Sequence, residues 1–344
     1  MKAAYFIDGR VEVGSMPDPT PGKGQVLVRT HSCGMCASDS HFLTSGKHVI
    51  ELCKKHGGPY AALDFSKAFV PGHEFVGEIL DYGPGSRKPL RVGSKVTSMP
   101  LMLKDGGHAV IGYDNHCPGG FGEYMLLDEN LMIEVPAELD DDIAAMTEPL
   151  AVGLEHARRG APTKDDVALV LGCGAIGLGV IAGLKLMGIG PIVAADFHES
   201  RRLLALDAGA DIVIDPKAQS AYEPLPDLGQ RQVNLVYECV GLPGLLQNII
   251  QSVAFGARIV MGGYCMEPDQ FLIFAAQNKR LTVHFAGGEE PQDMALALQS
   301  ICDGRVDVSK WVGARIGLNG VGKALSELSG PAAPVRTVVD PRSQ

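Results

Sequence analysis

Three short stretches group side chains whose types and spacing could hold a metal ion. Cys33-Gly34-Met35-Cys36-Ala37-Ser38-Asp39-Ser40-His41 offers two thiols, hydroxyls, a carboxylate and an imidazole. Pro71-Gly72-His73-Glu74-Phe75-Val76-Gly77 sets an imidazole beside a carboxylate, and Glu148-Pro149 adds a further acid. Thiolate, imidazole and carboxylate are the donors zinc takes, and a catalytic zinc keeps three protein ligands and one open position. Taken singly, each stretch has a plainer explanation. Cys33-x-x-Cys36 could be half of a structural zinc knuckle, although the chain holds no second C-x-x-C, and a lone Gly-His-Glu is usually a surface turn.

A fourth stretch does different chemistry. Val167–Leu171 is a short apolar run ended by a glycine, which reads as a buried strand. Gly172-Cys173-Gly174-Ala175-Ile176-Gly177 follows as a G-x-G-x-x-G turn. A helical pattern (Leu178, Ile181, Leu184, Lys185, Met187) runs to Gly188–Pro191, and a second apolar strand, Ile192–Ala195, ends at Asp196. Strand, glycine turn, helix, strand and acid form one βαβ unit that binds a dinucleotide. Its glycines serve the tight turn, the approach of backbone to pyrophosphate and the helix–strand packing. The helix N-terminus presents free N–H groups to the phosphates. Asp196 would accept from the ribose hydroxyls and repel a 2′-phosphate, which favours NAD over NADP.

The elements around these stretches predict two domains, as the length of 344 residues also suggests. Through residue 135, short strands alternate with Gly/Pro turns at Ala3–Ile7, Val11–Val13, Gln25–His31, Phe75–Tyr82, Lys95–Met99, Gly122–Leu127 and Met132–Val135. That spacing predicts an antiparallel, barrel-like domain without parallel pairing. Residues 137–161 turn helical. Strands at 167–171, 192–196, 211–214, 233–239, 257–262 and 281–285 then alternate with helices, predicting a parallel, doubly wound α/β sheet. The tail, with helices near 292–303 and 319–329 and a strand at Arg336–Val339, is expected to return to the first domain and leave a cleft between the two. The expected limits are 1–150 completed by 288–344, and 151–287. A net charge of −10 argues against nucleic acid as a partner. No apolar run is long enough for a membrane span, and no export signal opens the chain. Eight scattered cysteines then suit a reducing, cytoplasmic setting.

Together these motifs resemble the zinc-dependent medium-chain alcohol and polyol dehydrogenases over nearly the whole chain. Gly72-His73-Glu74-x-x-Gly77, with Gly83 and Ser86 after it, matches the family's zinc signature, and residues 33–41 match its first ligand segment. Glu148-Pro149-Leu150-Ala151-Val152-Gly153 resembles the sorbitol/threonine dehydrogenase branch, where the alcohol dehydrogenase branch has a cysteine. The resemblance implies a GroES-like β-barrel catalytic domain beside a Rossmann domain. It implies Cys36 and His73 as zinc ligands, with Glu74 a neighbour or exchanging ligand and Glu148 the third ligand, direct or through water. Cys33 is implied as a structural neighbour, Asp39 as the acid orienting the ligand histidine, Ser38 as the hydroxyl taking the substrate proton and His41 as its outlet. Hydride then passes from an alcohol carbon to NAD. Arg336, in Pro334-Val335-Arg336-Thr337, resembles the arginine on the pyrophosphate. Met261-Gly262-Gly263 and Ala286–Gly288 match strand ends near the nicotinamide, and Arg201 could flank the adenosine. The relatives imply a homodimer or homotetramer.

The chain departs from the family in two places. Where many relatives bind a structural zinc through four cysteines, residues 90–120 hold only Cys117, with His108 and His116, so no structural zinc is expected. The Cys36–His73 gap is long, the extra residues falling around His48–Phe69, either over the substrate pocket or away from it. Leu101, Met102 and Leu103 hint at an apolar substrate, though a core role explains them equally well, and with the polyol-branch ligand set they point to a secondary or cyclic alcohol. The competing readings are a metal-free enone or quinone reductase of the same fold and a non-catalytic NAD-binding protein. Cys36, His73 and Glu148 together argue against the first, and Ser38 with His41 against the second.

Overall fold

The structure is a computed structural model that describes residues 1–343 except 105, 224–227, 329, 331 and 332. Strand β1 (Lys2–Ile7) pairs antiparallel with β2 (Arg10–Ser15). Then come β3 (Gln25–Gly34), helix α1 (Ala37–His56), β4 (Glu74–Tyr82), β5 (Lys95–Ser98), the hairpin β6 (Leu101–Lys104) and β7 (Gly107–Val110), β8 (Tyr124–Asp128) and β9 (Met132–Glu134). Strand β3 is central, antiparallel to both β4 and β8. Val26, Val28, Thr30 and Ser32 alternate inward while Arg29 faces water, the period-two pattern of a strand with one buried face. Helix α2 (Asp141–Ala144) is capped by the Asp140 carboxylate, and α3 (Thr147–Arg159) follows it.

The chain divides into two compact units, residues 1–148 with 308–344, and residues 149–307. The second unit contains β10 (Ala168–Leu171), α4 (Ala175–Leu186), β11 (Ile192–Ala195), α5 (Glu199–Ala208), β12 (Ile212–Ile214), β13 (Leu235–Glu238), α6 (Leu245–Ser252), β14 (Arg258–Met261), α7 (Ile273–Asn278), β15 (Thr282–Phe285) and α8 (Pro291–Cys302). Its six strands are all parallel, in the order β12-β11-β10-β13-β14-β15. This is a doubly wound sheet whose order reverses beside β10, and the central strands are apolar because helices cover both faces. The unit runs past the boundary expected near 287. Helix α8 belongs to it, burying Met294, Ala297, Leu298 and Ile301, and Arg158 of α3 donates to Asp293 at 3.0 Å.

The return to the first unit opens on a 3-10 turn, Ser309–Trp311, and continues as β16 (Val312–Ile316), α9 (Val321–Glu327) and β17 (Arg336–Val339). Strand β17 pairs antiparallel with β3 but parallel with β16. The expectation of a purely antiparallel barrel is therefore corrected at this pair. Helix α9 is the crossover that carries the chain back so that both strands run the same way. No helix among the described residues is long and apolar enough to cross a membrane.

Candidate metal centre and dinucleotide turn

The first site is assembled by strand register. Cys33 pairs with Phe75 and Gly34 with Glu74 across β3 and β4, so the chain leaving β3 at Cys36 meets the chain entering β4 at His73. Cys36 caps α1, its N–H donating to Asp39 at 2.8 Å. The Cys36 sulfur, a His73 nitrogen and a Glu74 carboxylate oxygen lie within 4.8 Å of one another, and His73 and Glu74 are buried. Sulfur, imidazole and carboxylate are a zinc donor set, and this is the compact metal-binding group among the described residues. A second observation fits a metal here. His73 Nδ1 is buried without a hydrogen-bond partner, 3.9 Å from Asp39 Oδ1, where a neighbouring acid orients a ligand imidazole. Burial opposes protonation of His73, but the facing Cys36, Glu148 and Asp39 outweigh it and raise its pKa well above the ordinary value.

Glu148, at the first turn of α3, lies outside that compact trio but is buried, and its charge reaches His73 and Arg336. Cys33 is fully buried, and burial pushes its thiol pKa far up, which leaves it a protonated neighbour. Strand β17 lies beside the end of β3 and brings in Arg336, the arginine expected at the pyrophosphate. Its guanidinium binds both oxygens of Glu74, at 2.7 and 2.8 Å, with Nη2 4.0 Å from the Cys36 sulfur. Burial disfavours that charge, yet Glu74 more than offsets it and raises the arginine's pKa.

On the first turn of α1, the Ser38 hydroxyl lies 2.9 Å from that of Tyr113, which donates to Asp39 Oδ1 at 2.6 Å. Sequence reading missed Tyr113, which stands in a loop with no periodic pattern. One turn beyond Ser38, His41 is half-buried, and burial lowers its pKa. The His48–Phe69 insert resolves into the end of α1 and a return that carries Tyr60 back to the site, its ring 5.3 Å from that of Tyr113. Met102, in contrast, packs with Ala109, Cys117 and Leu126, and Leu103 is half exposed. The hairpin thus places Met102 in a small core and turns Leu103 to water, which removes much of the ground for an apolar pocket. Burial also lifts the Cys117 thiol to about 11.

The second unit builds its own site. Gly174 caps α4, and Ala175, Ile176 and Gly177 form the first turn of that helix. Asp196 Oδ2 accepts the Cys173 N–H at 2.9 Å, so the acid braces the turn, while Oδ1 accepts the His198 N–H at 2.8 Å. Arg201 lies 4.0 Å from Asp196. Past Met261, both the Gly262 and Gly263 N–H groups donate to the Glu238 carbonyl at 2.8 Å. Glu238 was also missed. Its carboxylate accepts from Val240 and Gly241, and burial raises its pKa.

Residues 22–137 match the family described as alcohol dehydrogenase GroES-like domain, and residues 175–302 the family described as zinc-binding dehydrogenase. An (R,R)-butanediol dehydrogenase of Bacillus subtilis is 30% identical over 270 residues, spanning 76% of this chain and 77% of that one. A sorbitol dehydrogenase of the same organism is 28% identical over 76% of this chain and 75% of its own. The crystal structure of 2R,3R-butanediol dehydrogenase from Bacillus subtilis is similar with a TM-score of 0.83, at 26% identity over 99% of both chains.

Proposed function

Because the chain belongs to the zinc-dependent medium-chain dehydrogenase family, we propose that it oxidises a secondary alcohol to the ketone with NAD. The observation that carries this reading is the Cys36–His73–Glu74 trio with the Ser38 hydroxyl on the same helix turn as Cys36. Cys36 and His73 would hold the zinc. Glu74, already bound by Arg336, would be a neighbour or exchanging ligand, and Glu148 the third ligand, direct or through water. Bound zinc supplies Lewis acidity to the alcohol oxygen, and bound NAD supplies the hydride acceptor. Ser38 takes the hydroxyl proton as it releases its own, by way of the nicotinamide ribose, to His41 and solvent. Asp39 holds His73 by charge. Asp196, accepting from the glycine turn, favours NAD over its 2′-phosphate form. The substrate class is supported by similarity to a butanediol dehydrogenase whose name specifies two stereogenic carbinol carbons.

The test is zinc per chain together with NADH and NADPH formation over a panel of secondary and primary alcohols. About one zinc per chain is expected, with turnover of secondary alcohols lost on chelation. Activity in zinc-free protein would move the function to the metal-free reductases. A preference for NADP would refute the role given to Asp196.

We also propose that the protein is a homodimer joined through the edge of the parallel sheet. Strand β15 is that edge, and edge backbone left open invites pairing with another strand. Phe285 is 71% exposed, and Leu272, Ile273 and Phe274 of the adjoining segment are exposed as well. A second copy would cover all four. Phe285→Asp is expected to convert a dimer to a monomer in light scattering, and a monomeric wild type would end the proposal.

A further inference from the structure

We propose that Tyr113 is a positioning residue that fixes which way the Ser38 hydroxyl points. This deepens the alcohol-oxidation reading above and rests on it. Asp39 is fully buried, and its other oxygen already accepts the Cys36 N–H. A carboxylate can only accept, so the 2.6 Å contact uses the single hydroxyl proton of Tyr113. The Tyr113 oxygen can then only accept from Ser38, 2.9 Å away. Before the alcohol reacts, Ser38 in turn places its one proton on Tyr113, which leaves its lone pairs for an incoming donor; that proton leaves for the relay only as the alcohol's arrives. A serine held this way is preset to accept from an alcohol hydroxyl, whereas a freely rotating one would spend part of its time presenting its own proton.

The ring is as constrained as the hydroxyl. Tyr113 is buried and stacks on Phe42 of α1, with centroids 4.4 Å apart and planes at 27°. Tyr60 meets Tyr113 edge-on, at 66°, and also meets Phe42, at 4.9 Å. The segment after α1 thus buttresses Tyr113 from outside, which gives the long Cys36–His73 connection a task at the site. The Tyr113 ring also lies 5.4 Å from the His73 ring. Aromatic pairs at such separations pack favourably and resist rotation.

The test is Tyr113→Phe, which keeps the ring and removes the hydroxyl, compared with Ser38→Ala and the double substitution. Activity of the wild type with secondary alcohols comes first, since its absence would refute the functional reading and not the role of Tyr113. Given that activity, Tyr113→Phe is expected to lower kcat about tenfold, the worth of one hydrogen bond near a charge. Zinc content, NAD affinity and KM should stay within about twofold of wild type. In the Ser38→Ala background the same change should cost nothing further, because the group it orients is already gone. A crystal structure of the Tyr113→Phe protein should show Ser38 Oγ moved from its present position. Unchanged kcat, an equal loss in both backgrounds, lost zinc or an unmoved Ser38 would each overturn the proposal.

Discussion

Cys36→Ser protein is expected to purify without zinc and to turn over alcohols on the order of 10³-fold more slowly, while binding NAD as before. The size follows from the several kcal/mol of charge stabilisation that a Lewis acid supplies at the reacting oxygen. The loss should be in the metal alone. Cys36 caps α1 with its backbone, and Asp39 accepts the Cys36 N–H, an interaction that does not depend on the sulfur. Serine is among the preferred residues at a helix N-cap, so the fold should keep its stability within about 1 kcal/mol. A serine hydroxyl is not ionised near neutral pH and is a poor zinc donor, which leaves one imidazole and the carboxylates to hold the ion without a thiolate. Glu74 would then rest wholly on Arg336, its two bonds there being already formed. Elemental analysis, NAD titration and kcat decide the matter together. Retained zinc with retained turnover would remove Cys36 from the metal site.

Gly177→Ala is expected to have the largest effect in the second unit, costing about 3 kcal/mol of stability and weakening NAD binding at least about 100-fold. A Cβ at this position would stand 1.9 Å from the Gly172 carbonyl oxygen, a backbone atom that cannot rotate aside. The turn would have to open, shifting both the strand end at Leu171 and the first turn of α4. The matching control is Gly174→Ala. A Cβ there meets nothing within 4 Å, and the backbone, at φ −73°, suits any residue. Gly174→Ala should therefore leave melting unchanged and still weaken NAD, since the role of this glycine is to let a pyrophosphate come close. Thermal melting and NAD titration of the two variants separate crowding within the protein from crowding against the ligand. Equal melting of Gly177→Ala and wild type would refute the packing argument, and unchanged NAD affinity in Gly174→Ala would take the pyrophosphate away from this turn.

Much of this protein is legible in its sequence, for reasons of range. The unit from Val167 to Asp196 is local: apolar strand, glycine turn, helix and acid follow one another within about thirty residues, the length of one βαβ motif. All six strands of the parallel sheet could be read from their alternation with helices, most plainly the central ones, because strands covered on both faces are short apolar runs. Cys36, His73 and Glu74 could be singled out as a group able to hold a metal from their motifs and the family resemblance these carry. Helix α1 was harder to see. Its buried Phe42, Val49, Ile50 and Cys53 follow a helical period, but Gly46 and the break in backbone geometry at Ser45 interrupt it.

What the tertiary structure alone decided is which of these groups meet. The β3–β4 register sets Cys36 against His73 and Glu74, and no local pattern specifies a register between strands so far apart in the chain. Strand β17 slots beside β3 and turns Arg336 onto Glu74, a contact between residues 262 positions apart. Tyr113 is placed by a loop and held by Phe42 and Tyr60, so neither periodicity nor motif marks it. The parallel β16–β17 pair depends on the α9 crossover, and the place of α8 in the second unit on the burial of its apolar face beside the Arg158–Asp293 bond. Residue type and local period determine the elements and the chemistry on offer. Only the packing of distant segments determines which side chains face one another, because a contact's energy depends on distance in space and not along the chain.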